Sequence, residues 1–258
     1  MGFLQQLLTL SFFYVLIGVF EACYPVEKNQ PLAERGRNVL LTLLFLFTGG
    51  LFALVAFSLI HWPPQTWQVH GFFLSALMIL FALFVTDFLY YWFHRSQHTF
   101  NWFWVIHEVH HSDAHMNGTT DLRTFWLENP LQLVFVTLPA AYLSHLDANA
   151  TIVLGLILLG FGVFNHANWR LQFGPFTPVL SGPQLHRIHH SRLPQHYDKN
   201  FAQFFPALDM LFGTYLPPAR DEFPPTGVSR LRSTVSFNQA VIKPLRSCWQ
   251  LFGTTRIQ

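Results

Sequence analysis

A chain of 258 residues that is 51% hydrophobic and only 11% charged carries less than half the roughly 25% charge of a soluble domain. Its net charge of +2 argues against nucleic acid as a partner, and its two cysteines, Cys23 and Cys248, exclude a disulfide framework, a CxxC pair and an iron–sulfur site. The 29 Phe, 8 Trp and mean hydropathy of +0.30 point to lipid as the main solvent, while 14 histidines, more than the 13 acidic residues, are the anomaly.

Residues 3–20 are almost wholly apolar. They lack a basic leader, and Glu21-Ala22-Cys23-Tyr24-Pro25 follows in place of a small-residue cleavage site, so a retained membrane helix is expected. Apolar runs at about 4–23, 38–60 and 71–93 each supply the roughly 20 residues that cross hydrocarbon. Two shorter runs, about 130–143 and 149–165, are separated only by Ser144-His145-Leu146-Asp147-Ala148. They predict a helical hairpin that need not cross completely, with Pro130 suited to a helix start and Pro139 to a kink.

Charge placement sets the expected topology. All 15 Lys and Arg fall within 28–37, at Arg95, at Arg123, or from Arg170 onward, whereas 61–70 and 144–148 contain none. The positive-inside rule makes the former segments cytosolic and the latter two external. The expected fold is all-α and integral to the membrane: three transmembrane helices plus a helical hairpin, with a cytosolic, histidine-rich, metal-binding helical cap.

Nine histidines lie where the chain leaves the membrane on the cytosolic side. His94 and His98 form H-x3-H at the end of the third span, one helical turn apart on one face. His107, His110 and His111 form H-x2-HH, His166 follows the hairpin, and His186, His189 and His190 repeat H-x2-HH. Neutral imidazole suits iron and zinc, and nine such ligands are too many for one tetrahedral zinc but right for two metals.

The runs DFLYYWFHRSQH (87–98), HEVHHS (107–112), NHANWR (165–170) and HRIHHS (186–191) resemble the histidine boxes of the fatty acid hydroxylase/sterol desaturase superfamily. Thr119-Thr120-Asp121-Leu122-Arg123, Asp198-Lys199-Asn200-Phe201 and Leu211-Phe212-Gly213-Thr214-Tyr215 extend the similarity over about 80–216. The resemblance implies a non-haem di-iron centre that uses O2 to hydroxylate, desaturate or cleave a lipid (sterol, fatty acyl or alkyl). Its implied domains are 1–70, N-terminal membrane helices; 71–216, a fatty acid hydroxylase-like catalytic domain; and 217–258, a cytosolic tail. Two departures stand out: Thr124-Phe125-Trp126 where many members carry a histidine, and Leu208-Asp209 where many carry Trp before the Asp.

Other residues are expected to act around the ligands. Asp87 lies on the 87-91-94-98 stripe, where a metal-bound imidazole N–H is its natural partner and a hydrogen bond to Tyr or Trp in an inter-helix contact the alternative. Asn168 is expected either to ligate through water or to hold a helix end. His115 and His196 are outer-partner candidates, each better read as a solvated loop residue. His61, His70 and His145 fall on the external side, and Trp62 and Trp67 read as interfacial anchors. Tyr90, Tyr91, Trp92, Trp102 and Trp104 read as anchors on the cytosolic side, with lining of the lipid entrance as the alternative for some of them.

A rival reading exists, because His107-Glu108-Val109-His110-His111 also satisfies H-E-x-x-H of an intramembrane zinc metalloprotease. It leaves His110 surplus and gives His94 and His98 no role, and the second copy, HRIHH, lacks the glutamate. No G-x-G-x-x-G motif is visible, so electrons are expected from a separate reductase, ferredoxin or cytochrome. The expected cofactors are two Fe ions with O2 as co-substrate. The bacterial inner membrane is favoured over the endoplasmic reticulum, and Thr254-Thr255-Arg256-Ile257-Gln258 carries no retrieval signal.

Overall fold

The computed structural model of the chain describes residues 2–59, 71–228 and 237–253. His61, Trp62, Trp67, His70 and residues 254–258 lie outside the described residues. Among those described, every regular element is helical, apart from an isolated β-bridge between Ser191 and Thr226.

Three long helices come first: α1 (Phe3–Cys23), α2 (Leu32–Leu59) and α3 (Phe72–Thr99). At about 1.5 Å per residue, the 28 residues of α3 reach roughly 42 Å, well past the ~30 Å of a hydrocarbon core. The helix is therefore long enough for its last turns, with His94 and His98, to project beyond the lipid. Phe100 breaks the helix in extended conformation, and α4 (Asn101–His111) packs back against α3.

The hairpin follows. Its first arm runs through α5 (Glu128–Gln132), a π-type turn (Leu133–Thr137) and α6 (Leu138–Ser144). The widened turn sits just ahead of Pro139, which lacks an N–H and whose ring crowds the preceding turn. His145, at φ 47° in the left-handed region, ends α6, and the Asp147 carboxylate accepts the Ala150 N–H at 2.8 Å to open α7 (Ala148–Asn165). With α7, four helices are long and apolar enough to cross a membrane. Two short helices, α8 (Pro183–His189) and α9 (Ala207–Leu211), follow, and then the longer α10 (Phe237–Gly253), which packs on α4.

Lipid-facing and protein-facing surfaces separate as expected of such helices. Leu54, Phe73, Leu80 and Val134 are exposed to the surroundings of the bundle. Leu10, Ile17, Phe45, Leu46, Val163 and Ala167 are buried between α1, α2 and the end of α7. Leu41, Phe93, Phe103, Ile106, Val109, Phe125, Val136 and Ala240 form a second core, which ties α4 to α2, α3, the first hairpin arm and α10.

The polar end of the bundle is locked by buried ion and amide contacts. Glu21, near the end of α1, accepts the N–H groups of Gly118 (2.9 Å) and Asn168 (2.8 Å) and pairs with Arg35 at 2.9 Å. Arg123, wholly buried, reaches the Val109 carbonyl and the Ser112 hydroxyl, while Asp113 accepts from Asn38 at 2.8 Å and Thr120 at 2.7 Å. The basic 28–37 segment, the end of α3 and the loops after α4 and α7 thus share one end, and the hairpin tip at 144–147 lies a helix length away.

Candidate metal centre

The structure brings all nine box histidines together and sorts them into two adjoining groups. His94, His98, His107, His111 and His189 form one; His110, His166, His186 and His190 form the other, and within each group the ring nitrogens lie within 4.8 Å of one another. The sorting follows from helical pitch. In α4 the one-turn pair His107 and His111 enters the first group while His110 turns into the second. The second H-x2-HH does the converse: His186 and His190 enter the second group and His189 crosses into the first. Each H-x2-HH therefore serves both groups, and the groups touch, with His111 and His190 stacked at 4.3 Å between ring centroids.

Inside each group, the Nε2 atoms converge. His94 faces His107 at 3.0 Å and His98 faces His111 at 3.2 Å. In the second group, His166 lies 3.2 Å from His110 and 3.1 Å from His186, and His186 lies 3.2 Å from His190. The outward nitrogens are held by acceptors: His94 Nδ1 donates to the Phe201 carbonyl (2.9 Å), His107 Nδ1 to Glu128 (3.0 Å), His166 Nδ1 to the Gly162 carbonyl (2.8 Å) and His189 Nδ1 to the Lys199 carbonyl (2.7 Å).

That pattern decides what the centre can hold. A neutral imidazole with its proton on Nδ1 has only a lone pair at Nε2. His94 and His107 both meet that condition, so two lone pairs oppose each other at 3.0 Å. A proton between them would charge one ring. Burial, helped by the neighbouring rings, holds His107, His110, His111, His186, His189 and His190 well below the ordinary imidazole value, and burial lowers His166 to about 4. A cation resolves the conflict, and neutral imidazoles are the form that binds one. Nitrogens bonded to one ion at about 2.0–2.1 Å and at right angles stand about 3 Å apart, which is the spacing seen here. The buried Nε2 of His189, aimed into the first group, has no hydrogen-bond partner. The residues present fit two metal ions.

The surrounding residues differ from their sequence reading. Asp87 does not meet an imidazole: its carboxylate accepts the N–H groups of Gln203 (2.8 Å), Phe204 (3.1 Å) and Phe205 (2.8 Å). Asp209 similarly accepts from Phe201 (2.7 Å), Ala202 (3.1 Å) and the Thr214 hydroxyl (2.7 Å). Two carboxylates thus shape the loop whose Phe201 carbonyl orients His94. Leu208 packs with Tyr91, Phe201 and Ala202, and Phe125, in the Thr124-Phe125-Trp126 stretch, lies in the core.

Asn168 neither reaches the histidine groups nor caps its own helix; its side chain pairs with the backbone N–H (2.9 Å) and C=O (2.8 Å) of Glu27, fastening the α1–α2 connection. His196, expected in solvent, is buried and 3.2 Å from Glu222, because the turn at Pro194–His196 folds it under the 222–226 segment. His115 is the half-exposed loop residue expected, 3.5 Å from Glu27. Among the aromatics, Tyr91 is wholly buried and bonds Thr214 at 2.9 Å, Tyr90 packs on His94 at 5.2 Å, and Trp104 packs on His98 at 5.0 Å. Tyr91 is a core residue and not an interfacial anchor, Tyr90 and Trp104 take the site-lining role that was the alternative for these aromatics, and Trp92 and Trp102 remain exposed. Sequence reading missed Glu128, Asp198 and Asp121, whose carboxylates stand 3.0, 3.6 and 3.5 Å from ring nitrogens of His107, His98 and His166.

Among the described residues, four apolar helices of spanning length together with two buried, all-imidazole groups define a helical membrane protein with a paired histidine centre. The family model described as fatty acid hydroxylase matches residues 79–214, just over half of the chain, and the chain belongs to that family. It is 34% identical over 139 residues to the alkylglycerol monooxygenase of Danio rerio, covering 51% of this chain and 29% of that protein. Against the Homo sapiens alkylglycerol monooxygenase the identity is 33% over 177 residues, 66% of this chain and 37% of that protein. The ornithine lipid hydroxylase of Rhizobium tropici is 24% identical over 169 residues, 66% of this chain and 49% of that protein. The matches thus span between about a third and a half of these relatives. No solved structure gives a significant match.

Proposed function

We propose that this protein is a membrane-bound, O2-dependent di-iron oxidoreductase that hydroxylates or desaturates a lipid. The observation that carries the reading is the pair of opposed Nε2 lone pairs on His94 and His107, set within a five-plus-four arrangement of buried imidazoles. His94, His98, His107, His111 and His189 would hold one iron, and His110, His166, His186 and His190 the other. When bound, the iron pair supplies the oxidative chemistry with O2 that no side chain can perform alone. The chain's own contribution is to keep the imidazoles neutral, to aim them through the carbonyls of Phe201, Gly162 and Lys199, and to exclude water around them. Tyr90 and Trp104, packed against His94 and His98, wall the first group with aromatic surface suited to an apolar chain.

The relatives' names supply the substrate class: alkylglycerols in one case and ornithine lipids in the other, both lipids modified by oxygenation. In this proposal 71–216 is the catalytic domain, 1–70 adds the first membrane helices and 217–258 is the tail, with electrons delivered by a separate redox protein. Membranes containing the protein, supplied with a reducing system and either lipid class under 18O2, should consume lipid only in the presence of O2. Label in the product marks hydroxylation, and an unlabelled alkene marks desaturation. Metal-loaded protein that leaves both lipid classes untouched, with or without oxygen, sinks the substrate reading.

The reading also places the histidines on the cytosolic side, in a bacterial inner membrane by preference. A thiol probe at Ala148→Cys, beside the hairpin tip, should be labelled from outside intact cells when Cys23 and Cys248 are removed. A probe at the exposed Asp221→Cys should be protected. The reverse pattern would put the centre on the other face and remove its access to cytosolic electron donors.

The H-E-x-x-H alternative gains nothing from the geometry. His107 and His111 share their group with His94, His98 and His189 instead of forming a three-ligand zinc site, and Glu108 belongs to neither group.

A further inference from the structure

Among the described residues, three carboxylates approach outward ring nitrogens of the nine histidines, and they are not equivalent. Asp198 stands 3.6 Å from His98 Nδ1 with a side chain 70% exposed, so water screens it. Asp121 stands 3.5 Å from His166 Nδ1, whose proton already goes to the Gly162 carbonyl at 2.8 Å. Glu128 is different: its side chain is 5% exposed and its Oε1 accepts the His107 Nδ1–H at 3.0 Å. The other oxygen, Oε2, is buried as well, and the wholly buried Gln97 side chain is a further hydrogen-bonding neighbour of the carboxylate.

Burying a carboxylate is costly even beside polar neighbours, and an apolar residue would fill the same volume without that cost. What the carboxylate does and a Leu or Met could not is act on the His107 ring. A carboxylate on Nδ1–H fixes the tautomer that presents Nε2 as a lone pair, and it pushes electron density towards that nitrogen. His107 belongs to the five-histidine group only, and among the described residues no hydrogen-bonded carboxylate backs the second group, where the largely buried Asp121 stands 3.5 Å from His166 Nδ1.

We propose that Glu128 is a positioning residue for the five-histidine group, setting the metal affinity and electron richness of that group and not of its neighbour. The inference rests on the two-metal reading above. It makes the two sites chemically unequal: the group built on α3 and α4 holds its ion more tightly, through a carboxylate brought in by the start of the hairpin.

The test uses the full-length protein in detergent, titrated anaerobically with Co(II), whose visible absorption reports its ligands, against a competing chelator. Wild type should take up two equivalents. Glu128→Gln keeps the shape and still accepts the Nδ1–H but loses the charge. One equivalent should weaken by about 10–100-fold with a shifted absorption band, while the other stays unchanged. Glu128→Asp, which keeps the charge on a shorter arm, should recover part of that loss. Two unchanged equivalents in E128Q overturn the inference, as does equal loss in both variants accompanied by a lower melting temperature of the metal-free protein, which marks a packing role. If E128Q cannot be purified, E128D carries the comparison: it should weaken one equivalent, and an unchanged pair of affinities overturns the proposal. Wild type that binds fewer than two Co(II) sinks the two-metal reading itself, an outcome distinct from either variant result.

Discussion

Loading the wild-type protein anaerobically with Fe(II) is expected to give a ratio near two per chain, and His189→Ala is expected to bring it near one and to abolish turnover. His189 is the one ligand that the second H-x2-HH sends into the five-histidine group. Its Nδ1 is fixed by the Lys199 carbonyl at 2.7 Å, and its buried Nε2 has no other partner, so alanine removes a pre-aimed donor and leaves a gap beside four remaining rings. Loss of residues that merely orient a ligand costs about 10–100-fold in affinity or activity, and loss of the ligand should exceed the upper figure. Membrane insertion should survive, since His189 lies in a short helix outside the spans. Elemental analysis with membrane fractionation of the same samples separates the two effects. A wild-type ratio near one would end the two-metal reading.

That expectation draws on features of unequal visibility in the sequence. The three long spans, the hairpin and the nine histidines are legible because their signals are local: an apolar run of spanning length, or imidazoles at i, i+3 and i+4 on one helix face. The five-plus-four sorting is not legible, since it depends on how α4 and α8 face each other across some 70 residues of intervening chain. Nor can spacing show that Phe201, Lys199 and Gly162 orient rings, because a backbone carbonyl carries no residue signature.

Asp87 shows how a sound local argument reaches the wrong partner. A carboxylate two turns before His94 on the same stripe suits an imidazole, yet three N–H groups from a loop more than a hundred residues later satisfy it better. Tyr91 departs from its anchor reading for a related reason. Aromatics near a membrane surface look like anchors until Phe201, Ala202 and Leu208 close over one of them.

Glu108→Gln is expected to leave metal content intact and to change turnover only modestly, and His94→Ala is expected to abolish it. The two substitutions divide the oxidoreductase from the metalloprotease that the same five residues, 107–111, could suggest. Glu108 sits one helical step off the face shared by His107, His110 and His111 and is in neither histidine group, so the oxidoreductase needs it only for local contacts. In a zinc hydrolase that carboxylate would activate the metal-bound water, and its loss would cost roughly 10²–10⁴-fold in rate. His94 reverses the contrast. It lies in the five-histidine group, 3.0 Å from His107, and the oxidoreductase loses a ligand with it, whereas a protease site of His107, His111 and one further ligand would tolerate its removal. Dependence on O2 gives an independent axis, because hydrolysis needs none. An inactive E108Q with full metal content, beside a His94→Ala protein that stays active without oxygen, would transfer this chain from the oxygenases to the hydrolases.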